Sequence, residues 1–311
     1  MIEDRQKLIE ECFRDAKAYD VLLPASIEKY LSSINKFFSV IGDKRIEDLS
    51  NVDFDDLVIK MKDNGANNSR IRNVMSAMVW LVNKLQNKGI IFNDLNLLII
   101  KKPKIMRKEV NYLTESEIER FIDCVAKDIN KRPTVKNIRF MALIMLLLQT
   151  GARIGEVLSI DIEDIDRLNR EVKIIGKGNK PRTLFLREET QDWIDRYLSI
   201  RKDSEKALFA TQDGVSRWKQ TDVGRSFRKY KELSGIKKKF VVHTIRHTFA
   251  TQYLQQGAAL PTVQAALGHS DPMTTLKYYS GAVEKVKVKE MINDRHFDFI
   301  PKMALEKINR P

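Results

Sequence analysis

His243-Thr-Ile-Arg246-His247, followed by Leu267-Gly-His269-Ser-Asp-Pro-Met-Thr-Thr-Leu-Lys-Tyr278-Tyr279, is the stretch around which the remaining sequence is interpreted. Helical spacing puts His243 and Arg246 three residues apart on one face near a helix N-terminus, where backbone N–H groups also favour an anion. That face suits a phosphate. Of the four histidines, His243, His247 and His269 fall in this stretch and only His296 lies outside it. His243 and His247 have the spacing of metal ligands, but the sequence between them lacks the glutamate of His-Glu-x-x-His, so no metal is assigned. His247 is given a supporting hydrogen bond. Taken singly, Tyr278 reads as a packed aromatic with its hydroxyl at the surface; only its company makes it a candidate nucleophile.

Working outward, 311 residues suffice for two domains. The net charge of +13 is unevenly placed: residues 1–100 hold 14 basic and 15 acidic side chains, so the remaining 41 and 27 leave an excess of 14 positive charges beyond residue 100. That bias suits a polyanion, and without a strongly apolar amphipathic anchor it favours nucleic acid over a membrane surface. Cys12 and Cys124 stand far apart with no cluster of ligands around them, which argues against a zinc site or a disulfide framework and fits a reducing cytoplasm. Met-Ile-Glu-Asp does not open a secretory signal, and the apolar run Met141 to Leu148 is too short to span a bilayer.

Residues 1–100 read as a small helical bundle. Apolar residues recur at helical intervals over 2–18, over Ser26 to Val40 (Ile27, Tyr30, Leu31, Ile34, Phe37, Phe38) and over Asn68 to Asn87 (Ile71, Val74, Met78, Leu81, Leu85), with a weaker helix over Asp53 to Met61. Asn67, Asn68, Ser69, Arg70 and Arg72 open the Asn68 helix and form either a phosphate-facing patch or an ordinary solvated terminus. Residues 101–111 read as a basic linker. Lys101, Lys102, Lys104, Arg107 and Lys108 cluster around Pro103 with no acid among them, a composition that can tether domains or lie along a DNA backbone.

A second domain starts at residue 112. Thr114 and Glu117 have capping-box spacing ahead of Ile118, Phe121, Ile122 and Val125, and residues 138–149 form a mostly apolar core helix stopped by Gly151. A short helix carries Arg153 and Glu156. Val172, Ile174 and Ile175, then Gly176-Lys-Gly-Asn179, then Thr183, Leu184 and Phe185 read as strand, turn and strand. Helices resume at about 188–202 and 221–233, with a strand-like Ala207 to Ala210 between them. The fold class is mainly α with a small antiparallel sheet.

Thr150-Gly-Ala-Arg153-Ile-Gly-Glu156-Val-Leu, Gly176-Lys177-Gly, His243-Thr-Ile-Arg246-His247 and Leu267-Gly-His269 with Tyr278 nine residues later resemble, in order, the motif set of the tyrosine recombinases, which include phage integrases and Xer-type enzymes. The motifs span an α+β catalytic domain over 112–285, and residues 1–100 are similar in layout to the family's helical, SAM-like core-binding domain. The resemblance implies site-specific breakage and rejoining of double-stranded DNA at paired half-sites, through a 3′-phosphotyrosine and a Holliday junction, by a homo-tetramer on two sites, without cofactor or ATP. It assigns Tyr278 as nucleophile, Arg153 and Arg246 to the non-bridging oxygens, Lys177 to protonation of the departing oxygen, and His243 to proton transfer and phosphate contact. His269 is matched to phosphate binding, and Glu156 braces the arginine region.

Tyr279 directly follows Tyr278, where many relatives have Thr, so spacing and not residue type chooses between them. Ser280 stands where a histidine is frequent, and Pro272 where an aliphatic residue is commoner. Residues 286–311 form either a local flap or a tail docked on a neighbouring protomer. An accessory protein is a further implied partner, and a non-catalytic DNA-binding regulator on the same fold is the alternative function. A type IB topoisomerase or a telomere resolvase shares the chemistry, but the short chain and compact motif spacing favour a recombinase.

Overall fold

The computed structural model describes residues 2–18, 24–91, 95–105, 111–176 and 180–268. The chain divides into two compact units, Met1–Lys108 and Glu109–Pro311. Among the described residues no helix is long and apolar enough to cross a membrane.

The first unit is helical: α1 (Ile2–Ala18), α2 (Pro24–Ile41), α3 (Asn51–Asp63) and α4 (Asn68–Asn87). The side chain of Asn67 caps α4 by accepting from the Arg70 amide at 2.9 Å. Beyond the cap, Ile71, Val74, Met75, Met78, Leu81, Val82 and Leu85 are buried on the face that meets α1, α2 and α3. Each such side chain contributes roughly 1.5–3 kcal/mol of apolar transfer, before the entropy of ordering is counted. The start of the basic segment does not hang free. Residues 101–105 lie along the N-terminal half of α4: Asn68 donates to the Lys104 carbonyl at 2.7 Å, Arg72 to the Pro103 carbonyl at 3.1 Å, and Lys102 to the Ser76 hydroxyl at 3.0 Å.

The second unit is built around α6 (Val135–Thr150), which is capped by Thr134 and buries eleven of its residues. Apolar residues on every side let it pack against α5 (Glu115–Lys131), α7 (Ile154–Ser159), α8 (Glu188–Ile200) and α10 (Val242–Gln255), with α9 (Gln220–Leu233) and α11 (Leu260–Leu267) completing the helices. A three-stranded antiparallel sheet, β1 (Ile165–Asp166), β2 (Glu171–Ile175) and β3 (Pro181–Phe185), has the order β1-β2-β3. Val172 pairs with Leu184 and Ile174 with Arg182. Val172, Ile174 and Leu184 face the core, while Ile175 and Phe185 are exposed.

Three details differ from the sequence reading. The two-residue β1 was not anticipated, because so short a strand leaves no alternation to detect. Ala207–Ala210 is buried but forms only isolated bridges, from Ala207 to Asp161 and from Ala210 to Arg217, since its backbone bonds alternate between two different neighbours. Arg153 does not lie within α7 but is its N-cap, with Glu156 at the third helical position. Residues 177–179 of the turn expected over 176–179, residues 106–110 and residues 269–311, including the tail expected over 286–311, lie outside the described residues.

Candidate functional site

Two glycines shape the site. Gly151 ends α6 and Gly268 ends α11, both with left-handed backbone, which favours glycine. Space adds to this: a Cβ on Gly151 would come within 2.5 Å of the Phe249 ring, and one on Gly268 within 2.7 Å of the Arg182 guanidinium, which would have to move. These close approaches are the physical content of the Gly in both motifs.

Arg246, on the first turns of α10, points its fork at the two helix ends. It is buried at 4 % exposure and donates to the Gly151 carbonyl at 2.8 Å and the Leu267 carbonyl at 2.7 Å. Carbonyl ends of helices carry partial negative charge, so a cation there is stabilised and the two motifs are tied to α10.

Arg153 and Glu156 form the adjoining corner. The Glu156 carboxylate, 7 % exposed, accepts from the Arg153 amide at 2.9 Å and from the Arg153 guanidinium at 2.7 Å. The same carboxylate accepts from Arg182 of β3 at 2.8 Å, and Arg182 also donates to the Ala266 carbonyl at 2.6 Å. Burial alone would raise the Glu156 carboxyl, but its bonds to the Arg153 amide and guanidinium, with the charges of Arg182 and Arg153, outweigh burial and hold it below its ordinary value. Arg153, Glu156, Arg182, the end of α11, Arg246 and Gly151 therefore close a ring of contacts.

On α10, His243 and His247 meet edge to face with ring centroids 4.8 Å apart. Burial, then the positive charges of Arg246 and Arg153, lower the His243 pKa. Burial, then His243 and Arg246, push His247 down to about 4. Both rings are neutral near neutral pH, so each presents one donor and one acceptor nitrogen. Among the described residues, no third His, Cys, Asp or Glu joins them into a metal-binding group.

The structure thus brings Arg153, Glu156, His243, Arg246 and His247 together. Lys177, His269, Tyr278 and the neighbouring Tyr279 lie outside the described residues, as do Arg107 and Lys108. In the first unit, Ser69, Arg70, Lys101 and Lys104 are exposed, whereas Asn68, Arg72 and Lys102 are partly buried by their bonds to or from the 101–105 segment. Burial, then the charge of Arg72, lowers the Lys102 pKa. Sequence reasoning missed two features. Arg182 looks like an ordinary strand arginine, and only the alternation with Leu184 and Leu186 signals that it points inward. Lys36 and Asn73 line a polar groove with Arg70 and Ser32 between α2 and α4; the signal was their place on the helix faces opposite the apolar stripes.

Residues 111–285 match the sequence model described as the phage integrase family. The chain belongs to that family. Tyrosine recombinase XerD of Oceanobacillus iheyensis is 31% identical over 255 residues, covering 80% of this chain and 82% of the relative. A tyrosine recombinase of Pseudothermotoga lettingae is 29% identical over 288 residues, covering 90% and 92%. Among solved structures, XerH recombinase in a post-cleavage complex with palindromic difH substrate aligns with TM-score 0.70 at 22% identity, covering 93% of this chain and 84% of XerH. A lambda integrase (75–356) dimer bound to a COC′ core site aligns with TM-score 0.68 at 15% identity, covering 86% and 96%. These likenesses show a shared fold. This phage integrase family member is a tyrosine-type site-specific recombinase, and a non-catalytic regulator on the same fold is not favoured.

Proposed function

We propose that this recombinase cuts and rejoins double-stranded DNA through Tyr278. The observation that carries the reading is the convergence of Arg153, Arg246 and neutral His243 on one corner of the second unit, braced by Glu156. Two guanidiniums whose charges both reach His243 suit the non-bridging oxygens of a phosphodiester, whose charge grows in the transition state. The Tyr278 phenolic oxygen attacks phosphorus as His243 takes its proton, the bond to the 5′-oxygen breaks, and Lys177 protonates that oxygen. His269 completes the phosphate contacts. A 3′-phosphotyrosine remains and conserves the bond energy, so resealing by a 5′-hydroxyl of another strand needs no ATP.

The exposed Ser69, Arg70, Lys101 and Lys104, with Asn68, Arg72, Lys102, Arg107 and Lys108, are proposed to follow the DNA backbone. The domain limits proposed are core-binding 1–100, linker 101–111, catalytic 112–285 and a tail over 286–311 that docks on a neighbouring protomer. Two half-sites are bound per DNA site, and a homo-tetramer joins two sites through a Holliday junction, with an accessory protein as a further partner. Work on DNA in the cytoplasm accords with the free thiols Cys12 and Cys124.

The test is a nicked suicide duplex carrying the cognate site, resolved on a denaturing gel. Wild type and Tyr279→Phe should give a covalent protein–DNA band that Tyr278→Phe lacks. A band lost only in Tyr279→Phe moves the nucleophile by one residue. DNA binding without any covalent species refutes the assignment.

A further inference from the structure

Alternation along β3 places Arg182 on the inward side with Leu184 and Leu186, at the end of the strand nearest Glu156. A cation turned inward is rare unless its partners are built in. Arg182 has two: the Glu156 carboxylate at 2.8 Å and the Ala266 carbonyl at 2.6 Å, with its side chain only 15 % exposed. Gly268 has no Cβ where one would strike this guanidinium.

Charge balance explains the arrangement. Arg153 and Glu156 alone sum to zero, and a carboxylate with one partner would draw the Arg153 guanidinium fully onto itself. With Arg182 on the same carboxylate, the cluster carries one net positive charge, and the charge of Arg153 is left for an anion. The second bond fixes the geometry: Ala266 precedes Leu267, whose carbonyl holds Arg246. Arg182 therefore links the Glu156 corner, which orients Arg153, to the helix end that orients Arg246.

We infer that Arg182 is a positioning residue that neutralises Glu156, and so releases Arg153 for the scissile phosphate while holding it in register with Arg246. The inference rests on the reading of Arg153 as a phosphate contact. It gives β3 a role in the reaction separate from the one proposed for Lys177.

The experiment measures single-turnover cleavage of the nicked duplex by full-length protein at saturating concentration, with DNA affinity from gel shifts. The variants are Arg182→Gln, Arg182→Lys, Glu156→Gln with Arg182→Gln, and Arg153→Gln as reference. Arg182→Gln should cleave roughly 100-fold more slowly, an effect of the size seen for lost transition-state stabilisation, with DNA affinity little changed. Arg182→Lys restores the charge without the fork and should recover about tenfold. The double variant returns the cluster to one net positive charge and should cleave faster than Arg182→Gln alone with both held well below their urea midpoints, so that restored charge is read apart from the stability regained by removing an unpaired buried carboxylate.

A double variant no faster than Arg182→Gln overturns the charge account. Wild-type cleavage by Arg182→Gln beside an inactive Arg153→Gln overturns the inference and leaves the proposed function standing. Wild-type cleavage by Arg153→Gln instead removes the proposed function. Should Arg182→Gln fail to fold, the comparison passes to Arg182→Lys, whose cleavage must fall below wild type at unchanged DNA affinity; wild-type cleavage by it sinks the positioning role.

Discussion

The cations proposed to meet the DNA backbone in the first unit and the buried arginines of the second are held in opposite ways. In the first, Arg70, Lys101 and Lys104 stand in solvent, and Arg72 and Lys102 make single bonds to their own chain. In the second, the side chains of Arg139, Arg201 and Arg246 are almost wholly buried, and each donates to a backbone carbonyl, Arg201 to the Asp203 carboxylate as well. Arg139 also stacks on the Trp218 ring at 4.0 Å. A surface cation supplies attraction that salt screens and that tolerates displacement. A buried one supplies position, because every alternative orientation breaks hydrogen bonds in a poorly solvated setting.

Replacing Arg246 should therefore cause the largest combined loss. Arg246→Ala leaves the Gly151 and Leu267 carbonyls without their guanidinium, and the second unit should lose roughly 3 kcal/mol in urea unfolding. Cleavage of the nicked duplex should fall by ~10³-fold or more. Arg70→Ala in the first unit should leave the unfolding midpoint unchanged. If both variants unfolded alike, the contrast between position and attraction would be lost.

Next in size is Gly151→Ala. It puts a methyl within 2.5 Å of Phe249 on left-handed backbone, and should cost about 2–3 kcal/mol in the same assay. Gly65→Ala in the first unit has left-handed backbone but open space, so it should cost only about 1 kcal/mol. The difference between the two isolates the close approach from the backbone strain.

These cases also explain what the sequence could and could not disclose. The limits of α4 were legible because Asn67, a period of apolar residues and Gly89 all agree on them. The motif residues Arg153, Glu156, His243 and Arg246 were legible as a set through their resemblance to the ordered motifs of the tyrosine recombinases; the two arginines and the histidine suit one anion, whereas Glu156 was placed by the motif alone. Arg182 was not, because an inward cation is intelligible only once Glu156 and Ala266 are beside it, and those are 26 and 84 residues away in sequence. Similarly, the docking of residues 101–105 on α4 depends on backbone carbonyls, which a linker composition does not advertise.

A pH experiment sharpens the comparison further. His247 has its pKa pushed from 6.5 to about 4, by burial first and then by His243 and Arg246. Between those values the unfolded chain binds a proton that the folded one does not, so stability present above about 6.5 is lost as the pH falls toward about 4. The loss is at most ~1.4 kcal/mol per pH unit for one site. His243 is shifted in the same direction, whereas Glu156, lowered from 4.5, acts only at more acid pH. The urea midpoint of the second unit should drop between about pH 7 and about pH 5, and His247→Gln should flatten that drop. An unchanged slope in the variant would remove His247 as its source.

The smallest effect separates two roles for one surface side chain. Arg72 donates to the Pro103 carbonyl at 3.1 Å and is half-buried against the basic segment. One partly solvated bond is worth roughly 1 kcal/mol or less, so Arg72→Ala should barely move the unfolding midpoint. If Arg72 meets a phosphate, the variant should bind DNA a few-fold more weakly, and the slope of log affinity against log salt should become shallower by about one. If instead it only holds residues 101–105 against α4, the salt slope stays fixed while proteolysis within that segment accelerates, because its backbone is less well held. The two outcomes are exclusive in slope, and either keeps the contrast with Arg246. A stability loss above ~2 kcal/mol would dissolve it, since a surface cation would then be fixing the fold in the way the buried ones do.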